Sequence, residues 1–221
     1  MEFLHLDLDK IAAFARTSET DLIFATLFAT PEMVMHGYRC GIFTMPLPYP
    51  DLAPAIFGWY FPKVRGIIPL PPPHNSVLGS PPRSLAKSRS RMHSTLDVHF
   101  PGVLRACMDA EREGRWIDSR IENIYLSLWK MGFGHSVEVW DSASRNELIG
   151  GLYGIQFGEF FAGESMFHAR SDASKVALAE LVDSAERLGI VMIDTQWPTA
   201  HLLRMGAISM PWQTYLEILD T

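Results

Sequence analysis

The sequence predicts an α+β fold, with α/β layering of helices on a sheet. Three observations carry that prediction. From residue 100 onward, helical spacing of apolar residues occurs twice, then gives way to three short strand-like segments, then returns. That order of two helices, a meander, a helix, a strand and further helix is what a layered domain requires. Before it, eleven of the fifteen prolines fall between residues 46 and 82, so that stretch reads as an irregular layer or a boundary. The 221 residues, 48% hydrophobic and 20% charged, suit a soluble globular chain of one domain, or of a small and a larger one.

Residues 1–30 are weakly patterned, and no internal repeat is visible. Thr30-Pro31 then opens a helix that stops near Gly41. Within the proline-rich stretch, IFGWYFPKVRGIIPL is too apolar for a free linker and is expected to pack, as a short edge strand. FPGVLRACMDAEREG reads as an amphipathic helix, with Val103, Leu104, Cys107 and Met108 on one face. RIENIYLSLWKMG is a second, stopped by Gly132. HSVEVW, ELIGGLYGIQ and FFAGESMF form the meander, joined by the polar turns DSASRN and FGE. Ser171 or Asp172 caps a helix that closes at Gly189. IVMIDTQW is a buried strand, Pro198 opens a short helix through Leu203, and PWQTYLEILD ends the chain as a helix.

No apolar run approaches the roughly 18 residues of a membrane span. The N-terminus MEFLHLDLDK carries acids where a secretory signal carries lysines. Cys40 and Cys107 are too few for a disulfide framework or a zinc motif, so a cytoplasmic protein with packed thiols is expected. No cluster of His, Cys, Asp and Glu has metal-ligand spacing, and neither a phosphate loop nor a nucleophile elbow is present. The net charge of −6 hides an asymmetry. Residues 52–96 contain no acid but six bases, Lys63, Arg65, Arg83, Lys87, Arg89 and Arg91, which leaves −12 on the remainder. The segment is either a site for an anionic partner or a solvated basic loop. Glu164, inside the apolar FFAGESMF, is the other anomaly. A carboxylate on a buried strand is costly unless something pairs with it.

YRCGIF (38–43), WYFP with Arg65 (59–65), REGRWID (112–118), GFGHSVEVW (132–140), ELIGGLYGIQFGEFFAGESMF (147–167), DASKVAL (172–178), IDTQ (193–196) and HLLRMGA (201–207) occur in one order along the chain. In these stretches the chain resembles the leucyl/phenylalanyl-tRNA–protein transferases, from about Pro31 to Ala207. The resemblance implies a small N-terminal domain, here residues 1–80, and a C-terminal domain, residues 81–221, resembling the GCN5-related N-acetyltransferase fold. It implies a reaction without acyl-CoA or any other cofactor. Leu or Phe, with Met as a further candidate, would pass from aminoacyl-tRNA to the α-amino group of a protein beginning with Arg or Lys, marking it for degradation in the bacterial cytoplasm. By the same analogy the protein is a monomer.

Residue by residue, the resemblance assigns catalytic positions to Glu164, Asp194 and Gln196. Glu164 would hydrogen-bond the aminoacyl-adenosine end, Asp194 attract and hold the cationic acceptor, and Gln196 orient or polarise the reacting groups. Leu152, Phe161, Met166, Leu178, Leu181 and Ile193 match the aminoacyl side-chain pocket, although apolar residues at such spacings also serve as plain core. Trp59, Tyr60 and Trp116 match aromatics near the terminal adenosine. Lys87, Arg89, Arg91 and His93 fall where the family carries a basic patch for the acceptor stem.

Departures stand beside the match. Tyr60-Phe61 replaces Trp-Ser, Thr199-Ala200 replaces Asn-Asp before His201, and Trp197 is bulkier than usual beside the acceptor site. His201 is read as structural in preference to a base. Two other readings stay open: an acyl-CoA-dependent N-acyltransferase, for which no Arg/Gln-x-x-Gly-x-Gly/Ala loop is found, and a tRNA- or degron-binding protein without catalysis.

Overall fold

The computed structural model describes residues 8–47, 56–110, 116–144 and 146–219. Helix α1 (Leu8–Ala15) and strand β1 (Leu22–Thr26) lie in the weakly patterned start. Helix α2 (Pro31–Arg39) begins as expected, with the Thr30 hydroxyl accepting from the amide of Met33 at 3.3 Å. Strands β2 (Phe43–Pro46) and β3 (Phe57–Tyr60) join β1 in a small antiparallel sheet of order β1-β3-β2.

The proline-rich stretch contradicts the expected edge strand. β3 is the centre of the small sheet, and β4 (Val64–Pro69) lies inside the large one. The prolines bracket these short strands, with Pro62 between them and Pro69 at the end of β4, so few ladder donors are lost. Residues 64–69 thus lie N-terminal to position 80 yet run in the large sheet. Helix α3 (Arg83–Arg89) and strand β5 (Met92–Leu96), which carried no clear periodic signal, follow.

The two amphipathic helices are α4 (Phe100–Asp109) and α5 (Ser119–Lys130). α4 ends at Asp109, two residues short of REGRW, most of which lies outside the described residues. The meander is β6 (Gly134–Asp141), β7 (Leu148–Phe157) and β8 (Phe160–His168). Helix α6 (Ala173–Leu188) closes on Gly189 at φ +69, while Asp172, in the N-cap place, makes no side-chain cap bond. Strand β9 (Met192–Asp194), helix α7 (Ala200–Met205), strand β10 (Ile208–Pro211) and helix α8 (Trp212–Leu219) complete the chain. α7 is capped by Thr199, not opened by Pro198.

The large sheet has the order β10-β4-β9-β8-β7-β6-β5, antiparallel except for the parallel pair β8 and β9. α6 covers one face, where Leu152, Val137 and Val139 meet Val176, Leu178 and Leu181. α4 and α5 cover the other, where Tyr153 and Ile155 meet Phe100, Val103 and Tyr125, and this cluster continues into Trp59, Phe43 and Phe57 of the small sheet. β7 is buried on both faces, which is why its sequence reads as a run and not as an alternation. Among the described residues no helix is long and apolar enough to cross a membrane.

Glu138 in β6, within the expected strand segment HSVEVW, is fully buried. It accepts from the hydroxyls of Thr95 and Ser136, each at 2.6 Å, and from the amides of His99 at 2.9 Å and Val98 at 3.4 Å. It therefore fixes the loop that enters α4. Hydrogen bonds to a charged group contribute roughly 1.5–3 kcal/mol each, and stranding their donors costs more than the bonds are worth. Glu138→Ala is expected to lower unfolding stability by about 3 kcal/mol, read as a reduced urea midpoint, with Glu138→Gln losing less because it keeps an acceptor.

Candidate active site

β8 pairs with β9 only from Phe160–Met192 to Ala162–Asp194. Beyond that point β9 ends and β8 continues to His168, so the sheet parts between them. At the same level β8 bulges against β7: Tyr153 faces Ser165 while Gly154 faces Gly163, which leaves Glu164 as the extra residue. Gly154 permits this. A Cβ there would lie 2.2 Å from the carbonyl oxygen of Ala162 and 2.4 Å from the Phe161 ring.

The bulge answers the question of Glu164's partner. The Tyr38 hydroxyl donates to Oε1 at 2.5 Å, and the Tyr125 hydroxyl donates to Oε2. The two phenol oxygens are 3.2 Å apart. α2 and α5 therefore each send one tyrosine across the core to the same carboxylate. Burial pushes the Glu164 carboxyl up to about 7, against the two phenol hydrogen bonds that favour its charged form. Burial and the neighbouring carboxylate hold both tyrosines well above their ordinary value.

Asp194 is the opposite case. Its side chain is 1% exposed, and Oδ2 accepts from Arg65, also 1% exposed, at 2.9 Å and from the Tyr215 hydroxyl at 2.9 Å. Arg65 lies over the Tyr215 ring, 4.5 Å from its centre. Oδ1 accepts from the backbone N–H of Gln196 at 2.8 Å. That bond holds Gln196 in the left-handed region at φ +60, a conformation a non-glycine residue adopts only when its surroundings over-determine it. With the Gln196 amide oriented by its neighbours, its nitrogen donates to the carbonyls of Thr195 at 3.0 Å and Gly163 at 3.1 Å.

Where β8 and β9 part there is a cavity of about 180 Å³. The structure brings Leu152, Phe161, Met166, Leu178, Leu181 and Ile193 together around it, with Glu164 and Gln196 also on its lining. An apolar cavity of about 150 Å³ accepts benzene, so this one is of a size for an isobutyl or benzyl group. Asp194 is not on the lining. It stands behind the wall, and its charge is met by Arg65 instead of facing the open space.

Several expected positions are placed otherwise. Trp59 is fully buried, stacked on Phe24 at 5.4 Å, and its indole nitrogen donates to Thr26, so no face is open to a base. It fills the core because β3 is the central strand of the small sheet. Tyr60 is half-buried, stacked on Phe43 at 5.7 Å and edge-on to Trp197. Trp116 is half-buried and edge-on to Tyr125, one ring from Glu164. Trp197 turns from the cavity toward the small sheet, where its indole donates to Asp21 at 2.8 Å. The basic asymmetry is partly consumed inside the fold. Arg65 neutralises Asp194, and Arg89 pairs with Asp183 at 2.6 Å and Glu180 at 3.4 Å on α6. Lys87, Arg91 and His93 are exposed, and Arg83 beside them is exposed as well. His201 lines a separate, larger cavity of about 810 Å³, and burial followed by Arg204 lowers its affinity for a proton.

Tyr38, Tyr125, Tyr215 and Arg65 were not singled out by sequence as partners of the two carboxylates. The available signals were the matching blocks YRCGIF, which holds Tyr38, and WYFP with Arg65. Thr195 and Leu202 also line the cavity without having been foreseen there.

A family model described as Leucyl/phenylalanyl-tRNA protein transferase matches residues 78–220. A protein of that name from Nitrobacter winogradskyi is 42% identical over 194 residues, covering 86% of this chain and 81% of its own length. Another, from Ruegeria pomeroyi, is 43% identical over 192 residues, covering 86% and 85%. Among solved structures, the crystal structure of FemX superposes with a TM-score of 0.54 at 12% identity, over 72% of this chain and 64% of that one, a likeness of fold alone. On the family match and the identity to these relatives, the chain belongs to the leucyl/phenylalanyl-tRNA–protein transferase family.

Proposed function

We propose that the chain transfers Leu or Phe from aminoacyl-tRNA to the α-amino group of a protein, with Arg or Lys as the acceptor's first residue. The observation that carries this is an apolar cavity sized for one such side chain, with a carboxylate and an amide on its rim. In the reaction the acceptor nitrogen attacks the ester carbonyl carbon and an amide bond forms. The ester C–O bond breaks, and the terminal hydroxyl of the tRNA leaves with the proton the amine gives up. An aminoacyl ester is activated already, so positioning and oxyanion stabilisation supply most of the required rate.

The donor side chain enters the cavity, and Glu164 accepts from the polar end of the same aminoacyl group. The nitrogen of Gln196 is taken up by two carbonyls, so its amide oxygen is the atom offered to the attacking amine. Asp194 acts through Gln196, by holding the backbone that aims it. Trp116, near Tyr125, would meet the adenosine, and the exposed Lys87 and Arg91 would meet the acceptor stem. The parting of one parallel pair in a mixed sheet supports a GCN5-related N-acetyltransferase-like platform, with the three-stranded sheet as the core of the small N-terminal unit. In this reading the protein works as a cytoplasmic monomer, and its product is marked for degradation.

The test is transfer of labelled Leu or Phe from charged tRNA to a peptide beginning with Arg or Lys. A folded protein that transfers neither sinks the proposal. Transfer from an acyl-CoA instead would favour the N-acyltransferase reading, and tight charged-tRNA binding without peptide modification the non-catalytic one.

Gln196→Ala is expected to lower kcat by roughly a hundredfold with little change in KM for charged tRNA, because it removes an orienting group and not the side-chain cavity. Asp194→Asn should produce the same split and also lower stability, since it leaves Arg65 buried beside a neutral amide.

Glu164 supplies a pH signature. Its folded value, about 7, lies above the ordinary carboxyl value, so the unfolded chain releases this proton first. Its contribution to stability is therefore lost as pH rises from about 4.5 through about 7. Glu164→Gln should lack that drop in a melting series. If the ionised carboxylate binds the donor, kcat/KM of the parent rises through the same window, and the variant's profile is flat there.

A further inference from the structure

We infer that Leu202 sets the donor preference of this protein, as the outer wall of the side-chain cavity. The inference rests on the transfer reaction proposed above. The six apolar residues expected at the cavity come from β7, β8, α6 and β9, elements that also build the core of the large sheet. Leu202 comes from α7, outside the sheet and α6 that supply those six residues.

Its position is at the α7 edge of the cavity. Leu202 lines the cavity of about 180 Å³, while the preceding residue, His201, lines the adjoining one of about 810 Å³. Met166 borders both. Removing the Leu202 side chain widens the cavity on its α7 side, outside the sheet and α6.

The backbone at Leu202 is held independently of its side chain. Its amide donates to the Thr199 hydroxyl at 3.2 Å, and its carbonyl accepts from Gly206 at 3.0 Å and Ala207 at 2.9 Å. The far end of α7 is tied down by Val77, whose amide donates to the Arg204 carbonyl at 3.2 Å, and by Leu78, which donates to Met205 at 3.1 Å. With the side chain itself half-buried, a substitution there changes the volume of the cavity far more than the stability of the helix.

An apolar pocket distinguishes ligands differing by a methylene by about 10–200-fold, and the discrimination depends on how closely the wall meets the ligand. A cavity of about 180 Å³ leaves little spare volume around a phenyl ring. A wider cavity costs the isobutyl group of Leu more contact than it costs the ring, and a narrower one excludes the ring first.

The experiment is competition between leucyl- and phenylalanyl-tRNA for one acceptor peptide beginning with Arg, using the full chain and its Leu202→Ala, Leu202→Phe and Leu203→Ala variants. Leu203 is the next residue on the helix, is 42% exposed and does not line the cavity. The expected result is a roughly tenfold shift of the Phe-to-Leu ratio toward Phe in Leu202→Ala and a comparable shift toward Leu in Leu202→Phe, with Leu203→Ala unchanged. Thermal melts identify a variant that has failed to fold, and the other Leu202 variant then decides. Transfer that persists with an unchanged ratio overturns the inference, as do an equal shift in Leu203→Ala and loss of all transfer by folded Leu202 variants. A parent chain that transfers neither residue overturns the proposed function as well, so the two failures are distinguishable.

Discussion

Asp194 can be buried only because Arg65 is beside it. An uncompensated carboxylate in that position would cost several kcal/mol, and the pair between β9 and β4 removes the difficulty at the core of the large sheet. Much follows from that one ion pair. It brings a strand from the proline-rich segment into the sheet between β10 and β9. It draws α8 over the site through Tyr215. It leaves one carboxylate oxygen to fix the backbone of Gln196 in a conformation that glycine would ordinarily be needed to adopt.

The two site carboxylates are separated by environment more than by distance along the chain. Asp194 has a cation and a phenol and stays in the wall. Glu164 has two neutral phenols, whose hydrogen bonds favour its charged form, but burial outweighs them and raises its affinity for a proton. A neutralised carboxylate suits a structural and positioning task. One left without a cation retains an appetite for a positive or donating ligand.

The sequence carried the large elements well where periodicity was long. α4, α5, the meander, α6 and its αL glycine stand where helical spacing, alternation and stop signals put them. It failed where proline suggested irregularity, because β3 and β4 are short enough to fit between prolines and no propensity rule reports which sheet a four- or six-residue strand joins. The cavity lining was legible through resemblance, since all six of its expected apolar residues meet in space. The partners were not. Tyr38, Tyr125, Arg65 and Tyr215 come from four elements distant in sequence, and only the closed fold brings them to Glu164 and Asp194. Trp59 is enclosed in the core for a related reason. An aromatic residue on the central strand of a three-stranded sheet is surrounded before any ligand arrives.

The bulge at Glu164 ties these levels together. A regular strand would place Glu164 opposite a β7 residue and give each of its neighbours the other face of the sheet. With one extra residue, Phe161 and Met166 both reach the cavity although five positions separate them, and Glu164 reaches the tyrosines and the cavity rim at once. Gly154 is the condition on the opposite strand, since a methyl group there would strike the Ala162 carbonyl. The apolar floor and the polar rim of the site are thus produced by a single irregularity in register. A change that restored regular pairing would remove both together, which is why the carboxylate sits in the middle of so apolar a stretch.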